Sequence, residues 1–235
     1  MKNTIILILN LLLLISCNNK ELDLSQVDFN QDSKIYNLDD LKVYKKEEQK
    51  GHYEVKHDGD DVSLITVDNG EKVINYVFME NSVSQVNFAG LNIDSTLGAK
   101  AVDYNGKIAF ISANVSSKQT SELISYFIKT FGVPTEVINN ERREEAVNLG
   151  ASQILFKSLP NYTKKQKDEF NNNSIIYPQN IIWVKKDIIY QLTLEPYNNL
   201  VSNVIKVISK KALKDKIILG YHNPKEDPIL SKYLN

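Results

Sequence analysis

The chain has a single cysteine, Cys17, among its 235 residues. With one thiol it cannot close an internal disulfide, hold a thiolate-rich metal or run dithiol redox chemistry. Nine glycines and six prolines form no cluster, and no Gly/Ser- or Pro-rich tract marks a domain boundary. Three histidines, one tryptophan and two methionines are spread along the sequence. Neither charge sign dominates: 28 Lys and Arg stand against 29 Asp and Glu. There is therefore no basic footprint for nucleic acid and no acidic tail. There is no internal repeat, no glycine-rich phosphate loop, no G-x-S-x-G and no H-E-x-x-H.

What is present begins at the N-terminus. Lys2 supplies a short positive start, and Ile5 to Ile15 is apolar except for Asn10. Leu14-Ile15-Ser16-Cys17 follows, and then polarity flips at Asn18-Asn19-Lys20-Glu21. The apolar run is near half of the roughly 20 residues that a membrane-spanning helix needs. It fits the apolar stretch of a secretory signal, with a small residue at the cut site. The segment resembles a bacterial lipoprotein signal, in which the cysteine after the small residue is acylated and becomes the new N-terminus.

The resemblance implies a signal peptide at 1–16, lipidation of Cys17 with palmitate-type chains, and a location in the cell envelope. One acyl chain anchors only marginally, whereas the two or three chains implied here hold a protein permanently. Asn18, rather than Asp, gives no signal for retention in the inner membrane, so the outer membrane is the expected site. Lys20, Glu21 and Asp23 are similar to the charged tethers that route some lipoproteins to the cell surface; a solvated linker is the plainer reading. The expected organisation is a signal peptide (1–16), a tether (17–33) and one globular domain (34–235). Leu22, Leu24, Val27 and Phe29 are too many apolar residues for a pure linker, so only the first few tether residues need be free.

Residues 41–115 read as β. Leu41–Tyr44 is a short candidate strand. Tyr53–Lys56 and Val62–Val67 flank Asp58-Gly59-Asp60, a hairpin signal. Asp68-Asn69-Gly70-Glu71 reads as a second turn before Val73–Phe78, followed by Val83–Phe88 and Ile108–Val115. The expected result is an antiparallel meander with one half-buried face. Ser116 and Gln119 suggest a capping box. After it, Leu123, Ile124, Phe127, Ile128 and Phe131 make one helical stripe, ended by Gly132 and Pro134. Glu141–Leu149 suggests a charged helix, and Thr163 with Gln166 a capped helix running to Phe170. Ile181–Leu194 reads as a hairpin turning at Lys186-Asp187, with Trp183 opposite Tyr190 and Ile181 opposite Leu192. Val204–Ile208 is open between strand and helix. Tyr221–Asn235 reads as a surface tail. The fold class is α+β, a mostly antiparallel sheet packed by one strong helix and one or two weaker ones.

His52, His57, Asp58, Asp60 and Asp61 are the metal-type residues, imidazoles beside carboxylates. Their spacing matches no closed metal pattern, and Asp and Gly serve a hairpin tip equally well. Glu141-Arg142-Arg143-Glu144-Glu145 is a mixed-charge run that fits a solvated face. Tyr177, Trp183, Tyr190 and Tyr197 could form a sugar platform, but the strand alternation sends Trp183 and Tyr190 to the core. No catalytic residue, metal ligand or cofactor is assigned; Cys17 is the one functional residue. The expected function is a lipid-anchored envelope protein that binds or scaffolds without catalysis. Its expected partners are the membrane, through acylated Cys17, and another envelope protein or a glycan. A hydrolase with an unrecognised site and an inhibitor or immunity-type partner of another protein stay open.

Overall fold

The computed structural model describes residues 21–59, 61–221 and 223–234. Cys17, the signal peptide and the first tether residues lie outside them. The fold is α+β and mostly antiparallel. Its strands are β1 (Leu22–Asp23), β2 (Lys45–Asp58), β3 (Asp61–Phe78), β4 (Val86–Phe88), β5 (Leu91–Asn92), β6 (Ala99–Tyr104), β7 (Lys107–Ala113), β8 (Glu136–Arg143), β9 (Lys164–Lys167), β10 (Asn173–Lys185), β11 (Ile188–Tyr197) and β12 (Leu200–Ser209). The helices are α1 (Thr120–Phe131), α2 (Leu149–Ser158) and α3 (Lys210–Lys214).

The main sheet runs β2-β3-β6-β7-β12-β11-β10-β8, with β9 added to β10. All its pairings are antiparallel. The 181–194 hairpin has the register expected from alternation, Trp183 opposite Tyr190 and Ile181 opposite Leu192. Val204–Ile208 belongs to β12, which joins the two halves by pairing with both β11 and β7.

Both faces of the sheet are covered, which corrects the expectation of one half-buried face. On the first face α1 and α2 bury Leu123, Ile124, Phe127 and Leu155 against Tyr177, Ile181, Trp183, Leu192 and Leu194. On the second, α3 and the C-terminal tail lay Ala212, Leu213, Ile217, Ile218 and Leu230 over Val102, Phe110, Ile182, Ile189 and Ile208. Strands covered on both faces read as near-continuous apolar runs, as Ile108-Ala109-Phe110-Ile111 of β7 does. The tail is fastened by Glu136, whose carboxylate accepts from Lys232 Nζ and from the Tyr233 hydroxyl.

Residues 21–33, assigned to the tether by sequence, belong to the fold. β1 pairs in parallel with β4, and Leu24 and Phe29 are buried. Val86–Phe88 lies in this small β1-β4-β5 sheet rather than in the meander, and Val83 sits in a 3-10 turn, Glu80–Gln85. Leu41–Tyr44 forms no strand; β2 starts one residue later.

Three further expectations are corrected. Asp68–Glu71 does not reverse the chain. It is a bulge: His52 pairs with Val67 and Lys50 with Lys72, so four residues of β3 face Gly51 alone. Asp68 and Asn69 stabilise it by accepting from the Gly70 and Glu71 N–H groups. Glu141–Arg143 is the end of edge strand β8, not a helix; the helix starts at Leu149. Alternate residues of β8 reach solvent, where charges protect an open edge. Thr163–Phe170 is not a helix either. β9 pairs with β10, and Asp168 shapes the turn by accepting from Phe170 and Asn172 N–H.

The capping box at Ser116 and Gln119 does not form. A 3-10 turn, Ser117–Gln119, precedes α1, and Gln119 Oε1 instead accepts from Asn92 N–H. The entry to α1 is fixed by a buried node. Asn203 Oδ1 accepts from Val115 N–H, and its Nδ2 donates to Val115 O and Thr120 Oγ1, each at 2.9 Å. Gly132 ends α1 with φ of 72°, as the sequence anticipated.

Candidate functional site

A depression of about 1080 Å³ lies where the described chain begins. One wall is Glu21 and Leu22, leading into β1. The second comes from two 3-10 turns, Ser33–Tyr36 and Leu38–Asp40, and the segment to Tyr44. The third is Met79 and the Glu80–Gln85 turn. Polar residues followed by short apolar steps, with no helical period, keep these segments as turns. Two carry the left-handed backbone: Asn37 at φ 48° and Glu80 at φ 52°. Asn adopts this conformation readily, whereas Glu is held in it by its surroundings. The Glu80 N–H donates to Ser95 O at 2.7 Å.

Gln85 ties two walls together. Its Oε1 accepts from Lys42 N–H and its Nε2 donates to Lys42 O, both at 2.9 Å, in the manner of a neighbouring strand. Tyr36 braces the second wall: its hydroxyl accepts from Asp28 N–H at 2.7 Å. Ile35 and Tyr44 face solvent at 58% and 54% exposure, so apolar surface is available at the rim. Asn37, Asp40, Glu80 and Asn81 make no side-chain hydrogen bond among the described residues and are free to meet a ligand. Glu21, Asp40 and Glu80 against Lys42 make the lining acidic.

The lining holds no histidine. Its serine hydroxyls are engaged with backbone: Ser82 Oγ donates to Met79 O and accepts from Met79 N–H, and Ser84 Oγ donates to Asn81 O. Nucleophilic catalysis needs a hydroxyl within reach of a base; the hydrogen bonds of Ser82 and Ser84 among the described residues go to backbone. The lining places the exposed Ile35 and Tyr44 beside amides and carboxylates that make no side-chain hydrogen bond among the described residues.

The sequence-derived candidates fall elsewhere. Trp183 and Tyr177 are buried, and Tyr190 is half-buried between Phe131 and the sheet. Burial pushes the Tyr177 and Tyr190 hydroxyls above their ordinary range. Tyr197 alone of that set is exposed, so no aromatic platform forms there. His52 and Asp58 lie along the β2-β3 hairpin, and His52 Nε2 meets Glu54 Oε1 at 2.9 Å. Asp61 begins β3; Asp60 lies outside the described residues. Among the described residues no group of three or more His, Cys, Asp or Glu side chains is gathered to hold a metal. The 141–145 charge run splits between strand and turn: Arg142 pairs with Glu195, and Lys165 with Glu144.

The cleft was not visible in the sequence, because its walls come from three separated stretches. The nearest signal was the apolar content of 22–29, too high for a pure linker. Comparison with protein-family models, with curated proteins and with solved structures finds no match. No helix among the described residues is long and apolar enough to cross a membrane.

Proposed function

We propose that this chain is a lipid-anchored cell-envelope protein, attached through acylated Cys17, whose folded part binds a partner without catalysis. The observation that carries the reading is the position of the cleft. Its first wall is Glu21, four residues beyond Cys17. Four extended residues span at most about 14 Å. A cleft so close to an acylated residue stays at the membrane surface, where an envelope protein or a glycan would meet it. The outer membrane is the proposed location, as Asn18 suggests. The engaged serines and the exposed Tyr44 and Ile35 support binding over hydrolysis.

The test is a photo-reactive amino acid placed at Tyr44 in the full-length protein, irradiated in intact cells. A matched probe at Phe170, 70% exposed on the β9-β10 turn, serves as the comparison. The reading predicts a discrete adduct from position 44, absent from 170 and lost in Cys17→Ser. Equal labelling at both positions, or none at 44, would overturn it.

A further inference from the structure

We infer that the free edge of β3 at Val62–Val67 is a docking edge for an extended polypeptide strand whose flanks are basic. This site is separate from the cleft and does not depend on the lipid anchor.

The β2-β3 hairpin runs past the end of β6, which pairs with β3 only from Val73 to Phe78. Beyond the bulge, His52–Val67 is a two-stranded arm. Gly51 fixes its base: its φ is +87°, and a Cβ there would fall 1.8 Å from Val67 O. The Tyr53 N–H donates to Lys216 O at 3.0 Å, so it points away from β3. Tyr53 and Thr66 are therefore a non-hydrogen-bonded pair, and alternation makes Val55 opposite Leu64 another. The N–H and C=O groups of Val62, Leu64 and Thr66 consequently face outward along β3. Among the described residues they have no backbone or side-chain partner.

The sequence of this edge distinguishes it. Proteins blunt open edges with charges, proline or bulges. The edge strands β2 and β8 follow that rule, with Lys45, Lys46, Glu47, Glu48 and Lys50 on one and Glu136, Glu141, Arg142 and Arg143 on the other. Val62-Ser63-Leu64-Ile65-Thr66-Val67 has no charge and no proline, and Val62, Leu64 and Ile65 are 66%, 40% and 38% exposed. Exposed main-chain groups give a strand-adding partner its affinity, and side chains beside the edge give its specificity.

Charge selects the occupant. Asp61 closes one end of the run, Asp68 and Glu71 close the other, and no Lys or Arg lies between them. Two copies of this edge, paired in either direction, would set acidic ends against acidic ends. A strand with uncharged, β-branched residues at its centre and Lys or Arg at its ends meets the edge without repulsion.

The experiment uses the folded chain and a labelled synthetic peptide of alternating threonine and valine flanked by lysines, with a glutamate-flanked twin. Fluorescence anisotropy should show the lysine peptide binding at least ~10-fold tighter than the twin, a difference of about 1.4 kcal/mol. Amide shifts should concentrate at 61–68 and spare 45–50. Leu64→Lys, which puts a charge on the edge and leaves the β2 ladder intact, should abolish binding while the far-UV spectrum is unchanged. Asp61→Lys with Asp68→Lys should remove the preference between peptides. No binding, equal binding of the two peptides, or sedimentation showing a dimer that Leu64→Lys dissociates would overturn the inference.

Discussion

Replacing Trp183 by alanine tests the packing of the first sheet face. Trp183 lies on β10 at 1% exposure. Its ring centroid is 5.2 Å from Phe127 and 6.1 Å from Phe131, both on α1. Phe127 in turn stacks on Phe88 of the small sheet at 5.9 Å. The indole Nε1 donates to Gly132 O at 3.0 Å, satisfying a carbonyl at the end of α1. Trp183 thus joins the main sheet to α1, and Phe127 carries the packing on to the small sheet. Truncating a buried aromatic to alanine costs about 3–5 kcal/mol, the spread reflecting how far the site collapses. Here the rings of Phe127 and Phe131 bound the cavity, while Gly132 is exposed, so its carbonyl exchanges the indole donor for water at little cost. The expected cost is therefore about 3–5 kcal/mol. For a domain of this size each kcal/mol shifts the melting temperature by about 2–4 °C, so the fall should be about 6–20 °C. Trp183→Phe keeps most of the ring contact and loses the hydrogen bond, so it should cost less, about 0.5–1.5 kcal/mol. Urea unfolding followed by circular dichroism measures both, because Trp183 is the only tryptophan and the variants have no indole fluorescence. Wild-type emission should be that of a buried indole. An unchanged midpoint for Trp183→Ala, or wild-type emission typical of water, would refute the core assignment.

Asn203→Leu leaves Val115 N–H, Val115 O and Thr120 Oγ1 without their partner, so chemical denaturation should show a loss of at least about 2 kcal/mol. Gly51→Ala should strain the base of the arm, and hydrogen exchange should rise across 52–67 while β10–β12 stay protected. The Lys232 ammonium, and then the Tyr233 hydroxyl, lower the Glu136 pKa below its usual value. A depressed folded pKa stabilises above the unfolded value and that stability is lost as pH falls through the folded one. Exchange in the C-terminal tail should therefore rise below about pH 4, and Glu136→Gln should remove that pH dependence. Chelator should leave the melting temperature unchanged, since a metal bound to the native state would stabilise it; stoichiometric zinc or calcium, lost in His57→Ala, would count against the binding-only reading.

The parts of the fold legible in the sequence are those whose pattern is local. Alternation from Ile181 to Leu194 determined both register and buried face, because the turn at Lys186-Asp187 leaves one pairing that keeps the apolar side chains together. The α1 stripe and its stop at Gly132 were legible for the same reason. The second covered face was not, because Val102 and Phe110 are buried by residues more than a hundred positions away, from Ala212 to Leu230. The charges of 141–145 and the Thr163-Gln166 pair suggested helices, but pairing along both edges of β10 overrode local preference. Asp68–Glu71 has the composition of a turn and serves as a bulge; only the cross-strand register separates the two. The cleft needed three distant segments at once, so the sequence showed its residues without their proximity. The arm's uncharged edge was read correctly as a strand, yet its openness follows from β6 ending too soon to cover it.

Mass spectrometry of the mature N-terminus tests the central claim most directly. The account predicts a chain beginning at Cys17 and carrying two or three acyl chains, found in the membrane fraction and released as an unacylated form in Cys17→Ser. A mature chain cut elsewhere, or one with Cys17 unmodified in the membrane-bound protein, would contradict it.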